Sequence, residues 1–206
     1  EAQLERLGLG DKKSVYQKVT NLRGANKLYD AIHQHKNADV LTVVYNFVDA
    51  LSHAKTDTEV VRELASDDSA YRRLVKTWLE GSPLLKMLQW ASQQGFTVVL
   101  TTDHGTVNVH RPSKVVGTKH LTTNLRYKTG NGMSYQSKHS FVVKDPSAIG
   151  LPKQHIADEY IFALSDLFYV YPNRYNHFVQ YYRNTYQHGG VSLEELIIPY
   201  AVLASK

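Results

Sequence analysis

The chain contains no cysteine among its 206 residues. Disulfide bonds, thiolate zinc sites and thiol nucleophiles are therefore excluded, and any metal site has to use histidine and carboxylate side chains. The lack of disulfides fits a reducing compartment, and we expect a cytoplasmic protein. Hydrophobic residues make up 42% of the chain and charged residues 21%, which is typical of a globular protein rather than a disordered one.

Long apolar runs are missing as well. No stretch approaches the roughly 20 apolar residues that a bilayer-spanning helix needs, so we expect no membrane association. No signal peptide is recognisable and the first residue is Glu1 rather than methionine, which suggests a piece of a longer protein. Because internal repeats, low-complexity tracts and linkers are also lacking, residues 1–206 are interpreted as one domain.

The formal net charge of +5 is a mild basic excess. It is compatible with an anionic substrate, but it is also common on ordinary protein surfaces. The sequence carries no motif of a sequence-specific DNA-binding protein.

Helical and strand patterns alternate along the first half of the chain. Residues 14–35 have apolar side chains three to four positions apart and favour a helix, and residues 38–49 form a β-branched, aromatic run that favours a buried strand. Two helices are predicted next, the second beginning at Ser82 and Pro83, followed by a strand in residues 96–102. This order predicts an α/β fold with a mostly parallel sheet and helices on both faces.

Two predicted strands end in an aspartate and a histidine. Asp49 is followed four residues later by His53, a spacing that aims both side chains the same way once the chain coils. Asp103 and His104 follow the next strand, and Gly105 allows the bend that would let adjacent side chains converge. In parallel sheets, ligands bind at the carboxyl ends of the strands, where these residues are expected.

A third candidate, His188, precedes two glycines whose backbone could closely approach a ligand. Taken singly, each motif is weak, since an Asp–His hydrogen bond or an acid at a helix N-terminus has the same pattern. Together they supply nitrogen and oxygen ligands that suit zinc. Asp49, His53 and His188 would form a three-ligand set with a fourth position open, and Asp103 with His104 would form half of a second site.

The ordered motifs VDALSH, TTDHGTVNVHRP and YQHGGVSLEELIIPY resemble the PglZ domain of the alkaline phosphatase superfamily. They are most similar to the output domain of PorX-type response regulators, which control the type IX secretion system. The resemblance implies an alkaline-phosphatase-like fold with two adjacent metal ions that hydrolyse phosphate esters. It implies that Asp49, His53 and His188 hold one metal, and that Asp103 and His104 hold part of the other.

The family pattern also has an earlier strand that ends in aspartate, and a serine or threonine nucleophile that opens the next helix. Residues 1–38 are predicted to hold one helix and no apolar strand. We therefore expect the nucleophile, and the receiver domain of a PorX-like parent, to lie upstream of this chain, which leaves the fold incomplete and the chain inactive by itself. No catalytic residue is assigned within it, because Thr101 and Thr102 fit ordinary strand positions.

Two functions remain open from the sequence. The first is a metal-dependent, phosphodiesterase-like domain acting on a phosphate ester or nucleotide, with His139 and Lys138 as substrate contacts. The same region also contains basic residues that could line a phosphate-binding wall with them, namely His110, Lys119, His120 and Arg126. These basic residues could equally lie in solvated loops. The second is a regulatory module with structural zinc, which binds signalling proteins or a second copy of itself.

Overall fold

Helices and strands alternate in the computed structural model, which describes residues 2–117, 122–153 and 155–205. The α-helices in these ranges are α1 (Ala2–Arg6), α2 (Leu22–Ala31), α3 (Phe47–Asp57), α4 (Glu59–Leu64), α5 (Asp68–Gly81), α6 (Pro83–Gln93), α7 (Tyr175–Tyr182) and α8 (Leu193–Leu196). The strands are β1 (Ser14–Val19), β2 (Val40–Tyr45), β3 (Val98–Thr101), β4 (Val107–Val109), β5 (Arg111–Lys114), β6 (Tyr127–Gly130), β7 (Ser140–Val143), β8 (Glu159–Ala163), β9 (Leu167–Val170), β10 (Thr185–Gln187) and β11 (Tyr200–Leu203). Short 3-10 helices span Ile32–His35, Ser137–His139 and Pro146–Ile149. None of the helices in the described ranges is long and apolar enough to cross a membrane.

The chain divides into two compact units, and the first comprises Glu1–Leu100 and Ala201–Lys206. After α1 come the parallel strands β1 and β2, which α2 connects, in a register that places Ser14 opposite Val40. Helix α2 begins where the Asn21 side chain accepts a hydrogen bond from the third residue of the helix. The prediction of a single domain over residues 1–206 stays a prediction.

The core of this unit lies between α2, α6 and the parallel strands. Val19, Leu28, Ile32 and Met87 are buried there, and the partly buried Trp90 packs against them. Helix α6 begins at Pro83 after Ser82, as the sequence predicted, and the chain leaves it through Gly95 at φ +80°. Each core side chain removed from water stabilises the fold by about 1.5–3 kcal/mol.

The prediction that residues 1–38 contain no strand is wrong. Residues 14–19 form β1, and the helix predicted from residue 14 begins only at Leu22. Val15 and Val19 are four positions apart, which places them on one side of a helix but also on one face of a strand. Residues 14–19 form a strand and not a helix because β1 pairs in parallel with β2 along its whole length. No local pattern reveals that pairing.

The second unit, Thr101–Tyr200, is built from small sheets. Strands β4 and β10 are antiparallel, β5 and β9 are parallel, and β6, β8 and β7 form a three-stranded antiparallel sheet in that order. Its core includes the completely buried side chains of Val109, Ile161 and Phe168.

The predicted mostly parallel sheet is therefore corrected to a mixed α/β fold with several small sheets, among which antiparallel pairs are prominent. Parallel neighbours need crossover connections of a dozen or more residues, usually helical. In the described residues between β4 and β9 there is no α-helix, so adjacent strands there return as antiparallel neighbours.

A buried ion pair joins distant parts of the second unit. Arg126, which precedes β6, is 0% exposed, and its Nε and Nη2 atoms donate to the two carboxylate oxygens of Glu195 on α8 at 2.8 and 2.7 Å. The guanidinium also donates to the backbone carbonyls of Ala163, Ser165 and Leu167. Burial raises the pKa of Glu195, but the hydrogen bonds from Arg126 and two backbone N–H groups outweigh it, so this pKa lies below its usual value.

We expect Arg126→Met to lower the free energy of unfolding by about 3–5 kcal/mol, because Glu195 would be left buried without a counter-charge. Urea unfolding at neutral pH measures this loss. The matched control is Arg111→Met, which breaks the ion pair with Asp166 on the surface and should cost far less. Equal losses in the two variants would contradict a structural role for the buried pair.

Candidate functional site

Helix α3 carries Asp49 in its first turn and His53 one turn later. The prediction had placed Asp49 at a strand end, but β2 stops at Tyr45 and the helix begins two residues later. As the spacing predicted, both side chains lie on the same side, with Asp49 Oδ1 3.5 Å from His53 Nε2. A carboxylate in the first turn is also favoured by the helix dipole.

Helix α5 fixes the start of α3 through Tyr71. The phenol oxygen lies 2.7 Å from Ser52 Oγ and donates to the Val48 carbonyl at 3.1 Å. Burial raises the pKa of Tyr71, and the negative charge of Asp49 raises it further, so the hydroxyl keeps its proton at neutral pH. The turn that holds Asp49 is thus anchored on both sides by hydrogen bonds to Tyr71.

Asp103 and His104 lie in the loop that follows β3. The backbone N–H of His104 donates to Asp103 Oδ1 at 3.1 Å, and His104 Nε2 lies 3.7 Å from the same oxygen. His104 Nδ1 is 3.0 Å from the Gly105 carbonyl oxygen. Because a carbonyl only accepts hydrogen bonds, Nδ1 is the donor in this contact, which leaves Nε2 as the ring nitrogen that could face a metal ion.

The hydroxyl groups of the two threonines before Asp103 are hydrogen-bonded to backbone carbonyls. Thr101 Oγ1 donates to the Pro199 carbonyl at 2.8 Å, and Thr102 Oγ1 donates to the His104 carbonyl at 3.0 Å. Both hydroxyls therefore hold the loop in place, in keeping with their interpretation as structural residues.

Gly105 is required by a close contact and not by its backbone angle. Its φ is not positive, but a Cβ at this position would collide with the carbonyl oxygen of Glu194. The Gly105 N–H donates to the Glu195 carbonyl at 2.9 Å, which holds the two backbones together. The glycine thus permits a backbone contact that any larger residue would prevent.

His188 lies directly after β10, and its ring stacks on that of His104. The ring centroids are 4.0 Å apart and the planes are inclined by 14°. The Asn124 side chain donates to the His188 carbonyl at 3.4 Å. Within the second unit, the structure thus brings together His104 and His188 from two loops, with Asp103 beside His104.

The glycines after His188 were expected to let the backbone approach a ligand, which stays a prediction; the close approach that the structure shows is to other parts of the chain. A Cβ on Gly190 would meet the Arg126 guanidinium and the Ala163 carbonyl, and Gly189 lies against Asn124 at φ +106°. Both glycines pack against the chain itself.

The resemblance divided the candidate ligands between two metals, with His188 assigned beside Asp49 and His53. The contact between His104 and His188 lies within the second unit, and the pair Asp49 and His53 within the first. The division of the five residues between two metals stays a prediction.

His139 ends a short 3-10 helix, and its Nδ1 lies 3.0 Å from the buried Ser113 Oγ. Burial, together with the charges of Lys138 and Arg111, lowers the pKa of His139, so the ring is neutral at pH 7. Lys138 is exposed. Their assignment as substrate contacts stays a prediction. Arg126 is not available to a phosphate, because it is buried against Glu195, and Lys119 and His120 lie outside the described residues.

Sequence reasoning missed a cavity of about 420 Å³ in the first unit. It lies beyond the carboxyl ends of β1 and β2, and its lining includes Thr20, Tyr45, Phe47 and Trp78. The Phe47 and Trp78 rings are stacked with centroids 3.7 Å apart, and Tyr45 meets Trp78 edge-on. Three aromatic residues from separate elements have no common sequence signal, although the end of a parallel strand pair is where a ligand pocket is expected.

We expect Gly105→Ala to destabilise the chain by about 1–3 kcal/mol or more, because the new methyl group meets a backbone oxygen that cannot rotate away. Thermal unfolding measures the effect. Gly81→Ala is the matched control, since a Cβ there meets nothing within 4 Å and its φ is ordinary. A Gly105→Ala variant as stable as this control would show that the contact with Glu194 is unimportant.

No curated protein matches the chain. The family model described as the BREX system PglZ alkaline phosphatase-like domain matches residues 8–203, which confirms the PglZ resemblance seen in the motifs. A metal site with histidine and carboxylate ligands is in keeping with an alkaline phosphatase-like domain. Because the match covers nearly the whole sequence, the chain belongs to the family of PglZ alkaline phosphatase-like domains.

Proposed function

We propose that the chain is a metal-dependent phosphoesterase domain of the phosphodiesterase type. The observation that carries this proposal is His104, whose proton is held on Nδ1 by a backbone carbonyl while its ring stacks on His188. A hydrogen bond of this kind orients a ring nitrogen for a metal ion. Membership of an alkaline phosphatase-like family supports the same chemistry.

The ligands proposed for one zinc ion are Asp49, His53 and His188, and those proposed for a second are Asp103 and His104. These residues fit zinc because they offer imidazole nitrogens and carboxylate oxygens. The pair on α3 also fits, with its oxygen and nitrogen 3.5 Å apart on one side of the helix. When bound, metal ions at such a site neutralise phosphate charge and activate an attacking oxygen.

The chain's own residues bind and orient the substrate in this proposal. The exposed ammonium of Lys138 attracts the phosphate, and the neutral His139 ring, held by Ser113, offers a hydrogen bond. The Gly105 carbonyl keeps the His104 ring in one tautomer throughout.

We propose a nucleotide as the substrate, with its base in the cavity lined by Phe47 and Trp78. Stacked aromatic side chains accept any planar base, and the hydroxyl of Thr20 adds a polar contact. Ala50 also lines this cavity and is the neighbour of Asp49 in α3, so the base would bind close to a proposed metal ligand.

The biological setting follows from the sequence resemblance. We propose the output domain of a PorX-type response regulator in the cytoplasm, linked to type IX secretion. A non-catalytic module with structural zinc is the second candidate, and the exposed apolar side chains of β11 favour it. Tyr200 and Val202 are 70% and 56% exposed, and such side chains suit contact with a signalling protein or a second copy of the chain.

We expect the purified chain to contain zinc, and His104→Ala or His188→Ala to lose most of it. Elemental analysis of protein prepared without chelator measures the zinc content. His33→Ala is the matched control, because His33 is an exposed histidine on a 3-10 helix of the first unit. Zinc that is absent from the wild type, or unchanged in both site variants, would refute the proposed metal site.

Trp78→Ala should weaken binding of adenosine monophosphate by roughly 5- to 150-fold, because stacking on a base contributes about 1–3 kcal/mol. Calorimetry compares this ligand with inorganic phosphate, whose binding should stay unchanged. The control Trp78→Phe keeps an aromatic ring and should retain most of the affinity. Equal weakening of both ligands by Trp78→Ala would place the base elsewhere.

A further inference from the structure

Glu195 is hydrogen-bonded to both loops that carry the stacked histidines. Its backbone carbonyl accepts from the Gly105 N–H at 2.9 Å, directly after His104. Its side-chain Oε1 accepts from the Gly190 N–H at 2.9 Å, two residues after His188. One residue of a four-residue helix thus holds the backbone on each side of the ring stack.

Gly105 links the position of Glu195 to the orientation of the His104 ring. Its N–H is bonded to Glu195, and its carbonyl is bonded to His104 Nδ1. A shift of Glu195 therefore moves the acceptor that sets the tautomer and orientation of His104. The close approach of the Gly105 Cα to the Glu194 carbonyl leaves this segment little freedom to move independently.

Arg126 fixes the carboxylate from the other side. The Arg126 guanidinium donates hydrogen bonds to both carboxylate oxygens of Glu195, and the Arg126 backbone N–H donates to Asn124 Oδ1 at 2.7 Å. The amide nitrogen of Asn124 in turn donates to the His188 carbonyl. Arg126 is therefore connected to His188 by two routes, through Glu195 with Gly190 and through Asn124.

We propose that Glu195, clamped by Arg126, is the positioning residue that sets the relative placement of His104 and His188 for metal binding. Glu195 itself offers no atom to the metal, since both of its carboxylate oxygens accept hydrogen bonds from the chain. The inference rests on the proposed function in that the two histidines are metal ligands. To the proposed function it adds a residue that holds the ligands in place. Mutation of such residues typically weakens metal binding by about 10- to 100-fold.

The test is zinc affinity, measured by competition with a chromophoric chelator, in Glu195→Gln and its matched control Glu194→Gln. Both replace a carboxylate by an amide on the same helix, but Glu194 is exposed and Glu195 is buried. We expect about 10- to 100-fold weaker zinc binding in Glu195→Gln and unchanged binding in Glu194→Gln. Wild-type affinity in a folded Glu195→Gln variant would overturn the inference.

A second readout needs no metal. Nitrogen NMR of metal-free protein reports which ring nitrogen of His104 carries the proton, and the structure predicts Nδ1 in the wild type. Glu195→Gln should give a mixture of tautomers, whereas a mere loss of stability would leave the folded signal unchanged. If Glu195→Gln does not fold, Arg126→Lys takes its place, because lysine keeps the charge without the two-pronged contact.

The two hypotheses fail in different ways. A wild type without zinc affinity would refute the metal site, and the tautomer measurement would still decide whether Glu195 positions His104. A wild type that binds zinc, with an unchanged tautomer and affinity in Glu195→Gln, would refute the positioning role alone.

Discussion

The buried ion pair between Arg126 and Glu195 is the interaction on which the candidate site in the second unit depends. Removing two charges from water costs several kcal/mol for each ion, and mutual attraction offsets this only when the remaining donors and acceptors are also satisfied. Here three backbone carbonyls and two backbone N–H groups complete the arrangement. Such a pair adds little net stability compared with an apolar contact, but its hydrogen bonds are satisfied in only one arrangement of the surrounding chain. That arrangement includes both histidine loops.

Local rules predicted the parts of the fold that local interactions determine. The start of α6 at Pro83, its end near Gly95 and the common direction of Asp49 and His53 all follow from spacing within a few residues. The first strand was mistaken for helix because its valine spacing suits both structures. The mixture of small sheets could not be foreseen either, because strand direction depends on partners far away in the sequence.

The candidate site shows the same limit. The motifs identified His104 and His188, and the structure stacks their rings. No sequence pattern indicates what positions them, since Arg126 and Glu195 are 69 residues apart and each fits an ordinary surface pattern by itself. Gly105 was predicted to allow a bend, and the two glycines after His188 to allow a close approach of the backbone to a ligand. Gly105 and Gly190 adjoin backbone or guanidinium atoms of their own chain.

The distance along the chain between Arg126 and Glu195 has a consequence for folding. Closing so long a loop is entropically costly, and contacts of this kind slow folding compared with local ones. During synthesis, Arg126 also leaves the ribosome well before its partner, so its charge must stay hydrated until α8 arrives. The two histidine loops are hydrogen-bonded to Glu195, so they take their final geometry only once this long-range contact has closed.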